Sequence, residues 1–401
     1  MTWLGSTVGL EIWLRTSWGD SRQSMMQISR AAGCIAPFLL AILAGCSSER
    51  PEIDLSQAGS LRLVDETVLE QTESIFLGRP LYAAASQGGD IFVADGMEQR
   101  IVRYDRDGRL VTTYGRKGRG PGELSAVLSI ALAGDTLLLA VDIDKSAVAM
   151  FDVRSGEHIG DVGYSGIPGS VLERGGKVWM GLLNRETGTG VGTWMLSAPD
   201  IQYLVGSSPS YREDPVLGTF YSHVEALPLD NTLLVSFLGE PELLVVSIDG
   251  EVQRSFRVPI HRRRGIPSDL TRRWRELKSP EDQVRLSSML GVMHRLPNGS
   301  IALVNYDQEF RNNIPVRTGF ITVIDAELAT ACVDIPLQLS QDGASLVRFR
   351  GDTLVTVEQE IAADDARAVM REYVVETADC SWQMLEEVAV NRASLAESFD
   401  Q

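Results

Sequence analysis

The chain has 401 residues, 44% of them hydrophobic and 23% charged, with 37 glycines. Its formal charge of −17 excludes a nucleic-acid binder that works by neutralising phosphates, and acidity of this size favours solubility and repels anionic surfaces. The length suits two ordinary domains or one long all-β ring.

Residues 1–24 carry Trp3, Trp13 and Trp18 with no period. They read as an upstream extension, with translation expected to start at Met25 or Met26. Met25-Met26-Gln27-Ile28-Ser29-Arg30 supplies a short basic start, and Ala31 to Ala44 is an almost continuous apolar run. At about 15 residues it suits a signal segment better than a membrane span of about 20. It ends in Leu43-Ala44-Gly45-Cys46-Ser47-Ser48, which resembles the lipobox of bacterial lipoproteins. The resemblance implies a signal peptide over 25–45, cleavage before Cys46, a lipid on its thiol and a polar tether over 46–59. Ser47 gives no inner-membrane retention signal, so the outer membrane of a Gram-negative-type bacterium is the expected address.

From residue 60 to 390 one strand–turn–strand cassette returns six times. Its tight turns are Gly89-Asp90, Gly134-Asp135, Gly175-Gly176, Asp230-Asn231, Asn298-Gly299 and Gly351-Asp352. An alternating or apolar strand follows each, and successive turns lie 45, 41, 55, 68 and 53 residues apart. That is the range of propeller blades. The expected fold is all-β, a six-bladed β-propeller of four-stranded antiparallel blades. Blade one reads in full, with strands at 81–85, 90–94, 100–104 and 110–114 and a hairpin at Asp107-Gly108, where both residues tolerate positive φ. Ser155-Gly156 and Asp249-Gly250 repeat that turn in blades two and four. Ala198-Pro199-Asp200, Asp325-Ala326 and Ala378-Asp379 take the role more loosely in blades three, five and six.

Gly115-Arg116-Lys117-Gly118-Arg119-Gly120-Pro121-Gly122-Glu123-Leu124 joins blades one and two. With Val93-Ala94-Asp95, Arg100-Ile101 and Tyr104-Asp105 it resembles an NHL-type repeat over residues 81–165. The resemblance implies a six-bladed propeller related to the NHL and TolB-like groups. Later blades lack the Gly-Pro-Gly-Glu joint.

An open ring leaves unpaired edges. Leu61-Arg62-Leu63-Val64 is therefore expected beside the strand at 370–375, with the segment at 382–390 competing for that place. Residues 391–401 form a tail. The mature domain keeps two cysteines, Cys332 and Cys380. Export permits a disulfide, but outer strands of neighbouring blades lie too far apart for the Cα separation of about 4.4–6.8 Å that a bridge requires. Free thiols are expected.

Connections between first and second strands, and between third and fourth, are short. The long ones, at 183–192, 207–221, 259–290, 307–316 and 358–367, all belong to the other two classes, which emerge on one face of the disc. Loops on a rigid scaffold carry function, so this face is the expected binding face. Its largest element, 261–290, reads as a short helical insertion between blades four and five, with Ser279-Pro280 a good helix start. Arg262, Arg263, Arg264, Arg272, Arg273, Arg275 and Lys278 crowd around Trp274. Guanidinium forks suit carboxylates, phosphates or acidic glycans. The same patch can equally be a solvated surface pairing with the acidic body.

The candidate ligand- or partner-binding residues are Arg116, Lys117, Arg119, Arg272, Arg273, Trp274, Arg275, His223, His294, Arg295 and Arg348. His223, Glu225 and His294 are the metal-ligand candidates at the channel, where oxygen donors suit calcium. Asp95 and Asp142, each just after a second strand, read as caps for loop amides. Glycines 188, 190 and 192 lack the strand-to-helix context of a phosphate loop. The expected function is non-catalytic binding of an envelope protein, peptide or acidic glycan by a lipid-anchored propeller, with no nucleic acid. The alternatives are a metal-dependent, lactonase-like hydrolase or lyase at the channel mouth, and a scaffold subunit of an envelope complex.

Overall fold

The computed structural model describes residues 58–389 apart from 185–188, 205–223, 238–241, 260–288, 312–313, 340–344 and 363–364. The expected extension, signal peptide, lipid site at Cys46, most of the tether and the C-terminal tail lie outside the described residues. So does the basic insertion with Arg272, Arg273, Trp274 and Arg275, except its last two residues, which open a strand.

Among the described residues, six antiparallel sheets follow one another around a ring. β1 (Ser60–Val68) comes first in the chain and closes the last blade. Blade one is β2 (Pro80–Ala85), β3 (Ile91–Asp95), β4 (Arg100–Tyr104) and β5 (Leu110–Tyr114). Blade two is β6 (Val127–Ala133), β7 (Leu137–Asp142), β8 (Ala147–Asp152) and β9 (His158–Gly163). Blade three is β10 (Ile167–Arg174), β11 (Lys177–Asn184), β12 (Thr189–Met195) and β13 (Ala198–Tyr203). Blade four is β14 (Val224–Pro228), β15 (Thr232–Phe237), β16 (Glu242–Ser247) and β17 (Val252–Arg257). Blade five is β18 (Met289–Arg295), β19 (Ile301–Arg311), β20 (Ile314–Ile324) and β21 (Thr330–Leu337). Blade six is β22 (Ser345–Arg350), β23 (Thr353–Ala362) and β24 (Asp365–Glu376), completed by β1.

The cassette strands are apolar throughout because a second strand is covered on both faces by neighbouring blades. In β3, Phe92 and Ala94 pack toward blade two, while Ile91 and Val93 pack toward blade six. In β7, Leu138 and Ala140 meet blade one, and Leu139 and Val141 meet blade three. Period-two alternation thus serves two interblade cores at once.

Closure is as the N-terminal strand foretold, with Leu61 opposite Val375 and Thr67 opposite Met370. The rival segment goes elsewhere. After Glu376 the chain doubles back around the perimeter, so that β25 (Gln383–Met384) pairs with β21 and β26 (Glu386–Val388) pairs with β17. Leu385 between them is buried in the core of blades four and five.

This course corrects the reading of the cysteines. Cys332 and Cys380 form a disulfide with Cα atoms 5.8 Å apart. The expectation of free thiols assigned Cys380 to an outer strand of blade six, but β1 holds that place. Cys380 lies instead on the returning segment, packed against the blade five–six core that contains Cys332. Ala378-Asp379 is accordingly no hairpin, and Ala198-Pro199-Asp200 opens β13 rather than forming the preceding turn.

The third-to-fourth turns meet the end of the preceding blade's outer strand. Gly108, at φ 77°, shows why a glycine is needed, since a Cβ there would sit 2.6 Å from the Val68 carbonyl oxygen. Gly250, at φ 93°, is pressed against the Leu204 carbonyl in the same way.

Candidate binding face

Among the described strands, no first-to-second or third-to-fourth connection exceeds five residues. The opposite face is built up in two ways. Joints between blades run to 11 residues before β2 and 12 before β6. Blades five and six also lengthen their middle strands. The segments 307–316 and 358–367, read from sequence as loops, are largely hairpin arms, paired as far as Arg311 with Ile314 and Ala362 with Asp365.

Buried carboxylates hold the joints in place. Asp95 accepts hydrogen bonds from the amides of Gly78 (3.2 Å), Arg79 (3.0 Å) and Met97 (3.0 Å). Asp142 repeats this for Ser125 (2.7 Å), Ala126 (3.2 Å), Asp144 (3.1 Å) and Lys145 (3.2 Å). Each ties an incoming joint to the turn after the second strand of its own blade, as the capping reading expects.

The basic joint of blades one and two is rigid. Glu123 accepts from the Gly120 amide at 2.8 Å and pairs with Arg116 at 3.0 Å. That amide, with Arg116 in support, holds the Glu123 carboxyl below the usual carboxylate range. Lys145 donates from below to the carbonyls of Gly120 (3.3 Å) and Glu123 (3.2 Å) and pairs with Asp161 at 3.3 Å. Arg116, Lys117 and Arg119 are exposed on this frame, with Arg119 also donating to the Asp144 carbonyl at 2.8 Å.

The channel candidates do not converge. His223 lies outside the described residues. Glu225 stands near the start of β14, toward the elaborated face, where it accepts a hydrogen bond from the Ser170 hydroxyl. His294 and Arg295 stand at the far end of β18, next to the opposite face. The His294 ring stacks on Phe349 with centroids 5.1 Å apart, and its Nε2 lies 2.9 Å from the Gly351 carbonyl. Arg295 makes a forked pair with Asp230 at 2.7 and 2.9 Å. Arg348 donates to the carbonyls of Ala83 (2.7 Å) and Val347 (2.8 Å), linking the inner strands of blades six and one. Glu225 and His294 therefore do not share one mouth of the channel, because β14 and β18 are both first strands running the same way through the disc, and one residue stands near the start and the other near the end.

Burial lowers the pKa of His294 from 6.5, partly offset by its hydrogen bond to Gly351. An imidazole depressed in the folded state is protonated first in the unfolded chain, so stability falls as pH drops below about 6.5. His294→Gln is expected to flatten that slope between about pH 7.5 and 5.5, read from urea midpoints at the two pH values.

Sequence reading missed Phe76 and Met97, two exposed apolar residues on the elaborated face. The available signal was a large apolar residue in a turn, Met97, two places after a capping aspartate.

No family model and no curated protein matches this chain. Solved structures do. A member of the DUF4221 family from Bacteroides vulgatus aligns over 80% of this chain and 100% of its own, with 10% identity and a TM-score of 0.55. A Bacteroides fragilis protein described as exported aligns over 79% of this chain and 95% of its own, with 12% identity and the same TM-score of 0.55. The likeness is one of fold. At such identity it carries no substrate and no site residue.

Proposed function

We propose that this protein is an exported, lipid-anchored β-propeller of the cell envelope that binds a protein, peptide or acidic glycan on its long-loop face. The reading is non-catalytic, of an NHL/TolB-like kind. One observation carries it. Among the described residues the elaboration, joints and hairpin arms together, stands on one face, while the other is trimmed to turns. A ring without a binding demand has no physical reason to lengthen four strands in one direction past the strands that flank them. The Cys332–Cys380 disulfide supports export, because such bonds persist in oxidising compartments. The Bacteroides fragilis neighbour points the same way.

The anchor is tested with a clickable fatty acid in cells making the full chain. Wild type is expected to take up label and sediment with membranes, and Cys46→Ala to lose both. Unlabelled wild type would remove the lipoprotein reading. Binding is tested by crosslinking from the two faces, with adducts expected from the elaborated one alone.

A further inference from the structure

Phe76 is 41% exposed and Met97 48% exposed, and both border Gly78. A Cβ at residue 78 would lie 2.7 Å from the Met97 sulfur and 3.2 Å from the Phe76 ring. Single exposed apolar residues are ordinary. This pair differs in how firmly it is held.

The joint that bears Phe76 is tied at nearly every step. The Ile75 amide donates to Thr72 Oγ1 at 3.0 Å and the Leu77 amide to Gln71 Oε1 at 2.9 Å. Arg100 donates to the carbonyls of Ser74 (3.1 Å) and Phe76 (3.2 Å). Two further bonds fasten the joint to the blade six arm, from Gln71 Nε2 to the Ala366 carbonyl (3.2 Å) and from Gln359 Nε2 to the Leu77 carbonyl (3.1 Å). Met97 is held through its amide on Asp95. A preformed apolar anchor loses little conformational freedom on binding, and aromatic residues and methionine are enriched at interfaces.

Topology sets the rest of the surface. The turn with Met97 lies between this joint and the next, the rigid one with Arg116, Lys117 and Arg119. Glu73 and Glu98 are exposed around the apolar pair, so a partner's acidic groups fit over the basic joint and not over Phe76. Resting on the reading of the long-loop face as the binding face, we infer that the partner is an acidic polypeptide segment. It sets a large apolar side chain against Phe76 and Met97 and lays carboxylates on Arg116, Lys117 and Arg119. An acidic glycan meets the charge but has no side chain to bury against the Phe76–Met97 pair.

The test selects a random dodecapeptide library against the full-length protein in detergent and measures synthetic copies of the enriched peptides by fluorescence anisotropy. Enriched peptides are expected to be net acidic with at least one large apolar residue. Phe76→Ser with Met97→Ser should weaken them roughly tenfold or more. Arg116→Glu, Lys117→Glu and Arg119→Glu together should do the same, and binding should fall with salt. All five positions are solvent-exposed. Because the reversal gives up the Arg116–Glu123 pair and the Arg119–Asp144 bond, melting curves and the milder Arg116→Gln, Lys117→Gln and Arg119→Gln triple accompany the binding data. Weakened binding is expected from the milder triple at an unchanged melt. Neutral or basic winners, binding as tight as wild type by either variant, or no enrichment at all would overturn the acidic-segment assignment. The long-loop face itself would survive any of these if shortening the arms at 307–318 and 358–369 still abolished crosslinks to envelope glycans or proteins.

Discussion

Asp142→Ala is expected to destabilise the protein by about 3–5 kcal/mol, a large value for one side chain. The carboxylate is fully buried and serves four backbone amides, from Ser125, Ala126, Asp144 and Lys145. An orphaned buried donor costs about 1–3 kcal/mol, and water entering the cavity recovers part of the total. Asp142→Asn is expected to lose less, because its amide oxygen can keep the Ala126, Asp144 and Lys145 amides while its NH2 group faces a single donor, the Ser125 amide. The urea midpoint at constant m-value reads the change. A loss below about 1 kcal/mol would mean that the joint finds other acceptors.

Removing the closing strand has the second large effect. β1 is mostly exposed, so its role is less burial than pairing. It covers β24 from Ser60–Glu376 to Val68–Val369 and brings Arg62 to Glu376 and Glu66 to Arg371. Leu69, just beyond, is 1% exposed in the blade six–one core, and its burial is worth about 1.5–3 kcal/mol. Chains starting at residue 58 and at residue 70 are compared. The shorter one is expected to melt about 10 °C lower and to leave the monomer peak on gel filtration, since an open edge recruits other strands. An unchanged monomer would show that the inner strands of blades six and one, joined by Arg348 on the Ala83 carbonyl, hold the ring closed without β1.

The parts of the fold legible in sequence are those with a core on both sides. Six apolar cassette strands and their Gly/Asp turns stand out because each strand feeds two interblade cores. Leu61-Arg62-Leu63-Val64 could be placed because it had no partner in blade one. The hairpin arms were not legible as strands. Asp307-Gln308-Glu309-Phe310-Arg311 and Glu358-Gln359-Glu360-Ile361-Ala362 each open with three polar residues in a row, and such a run shows no period-two signal. The disulfide was hidden for a different reason. It depends on where the chain turns after Glu376, a choice of route that the residues near Cys380 do not encode locally. Of the candidate site, the basic joint could be read from its charges, and Asp95 and Asp142 from their place after a strand. The Phe76–Met97 pair could not, because its meaning lies in the hydrogen bonds that hold it.

The central claim, that this propeller works through one face, is tested most directly by site-specific photo-crosslinking in cells. A benzophenone amino acid is placed at Glu98 and Arg367 on the elaborated face and at Asp135 and Asp352 on the opposite one, all exposed positions. The account predicts discrete adducts from Glu98 and Arg367 and none from Asp135 and Asp352. Adducts from the turn face, or equal capture by both, would contradict it.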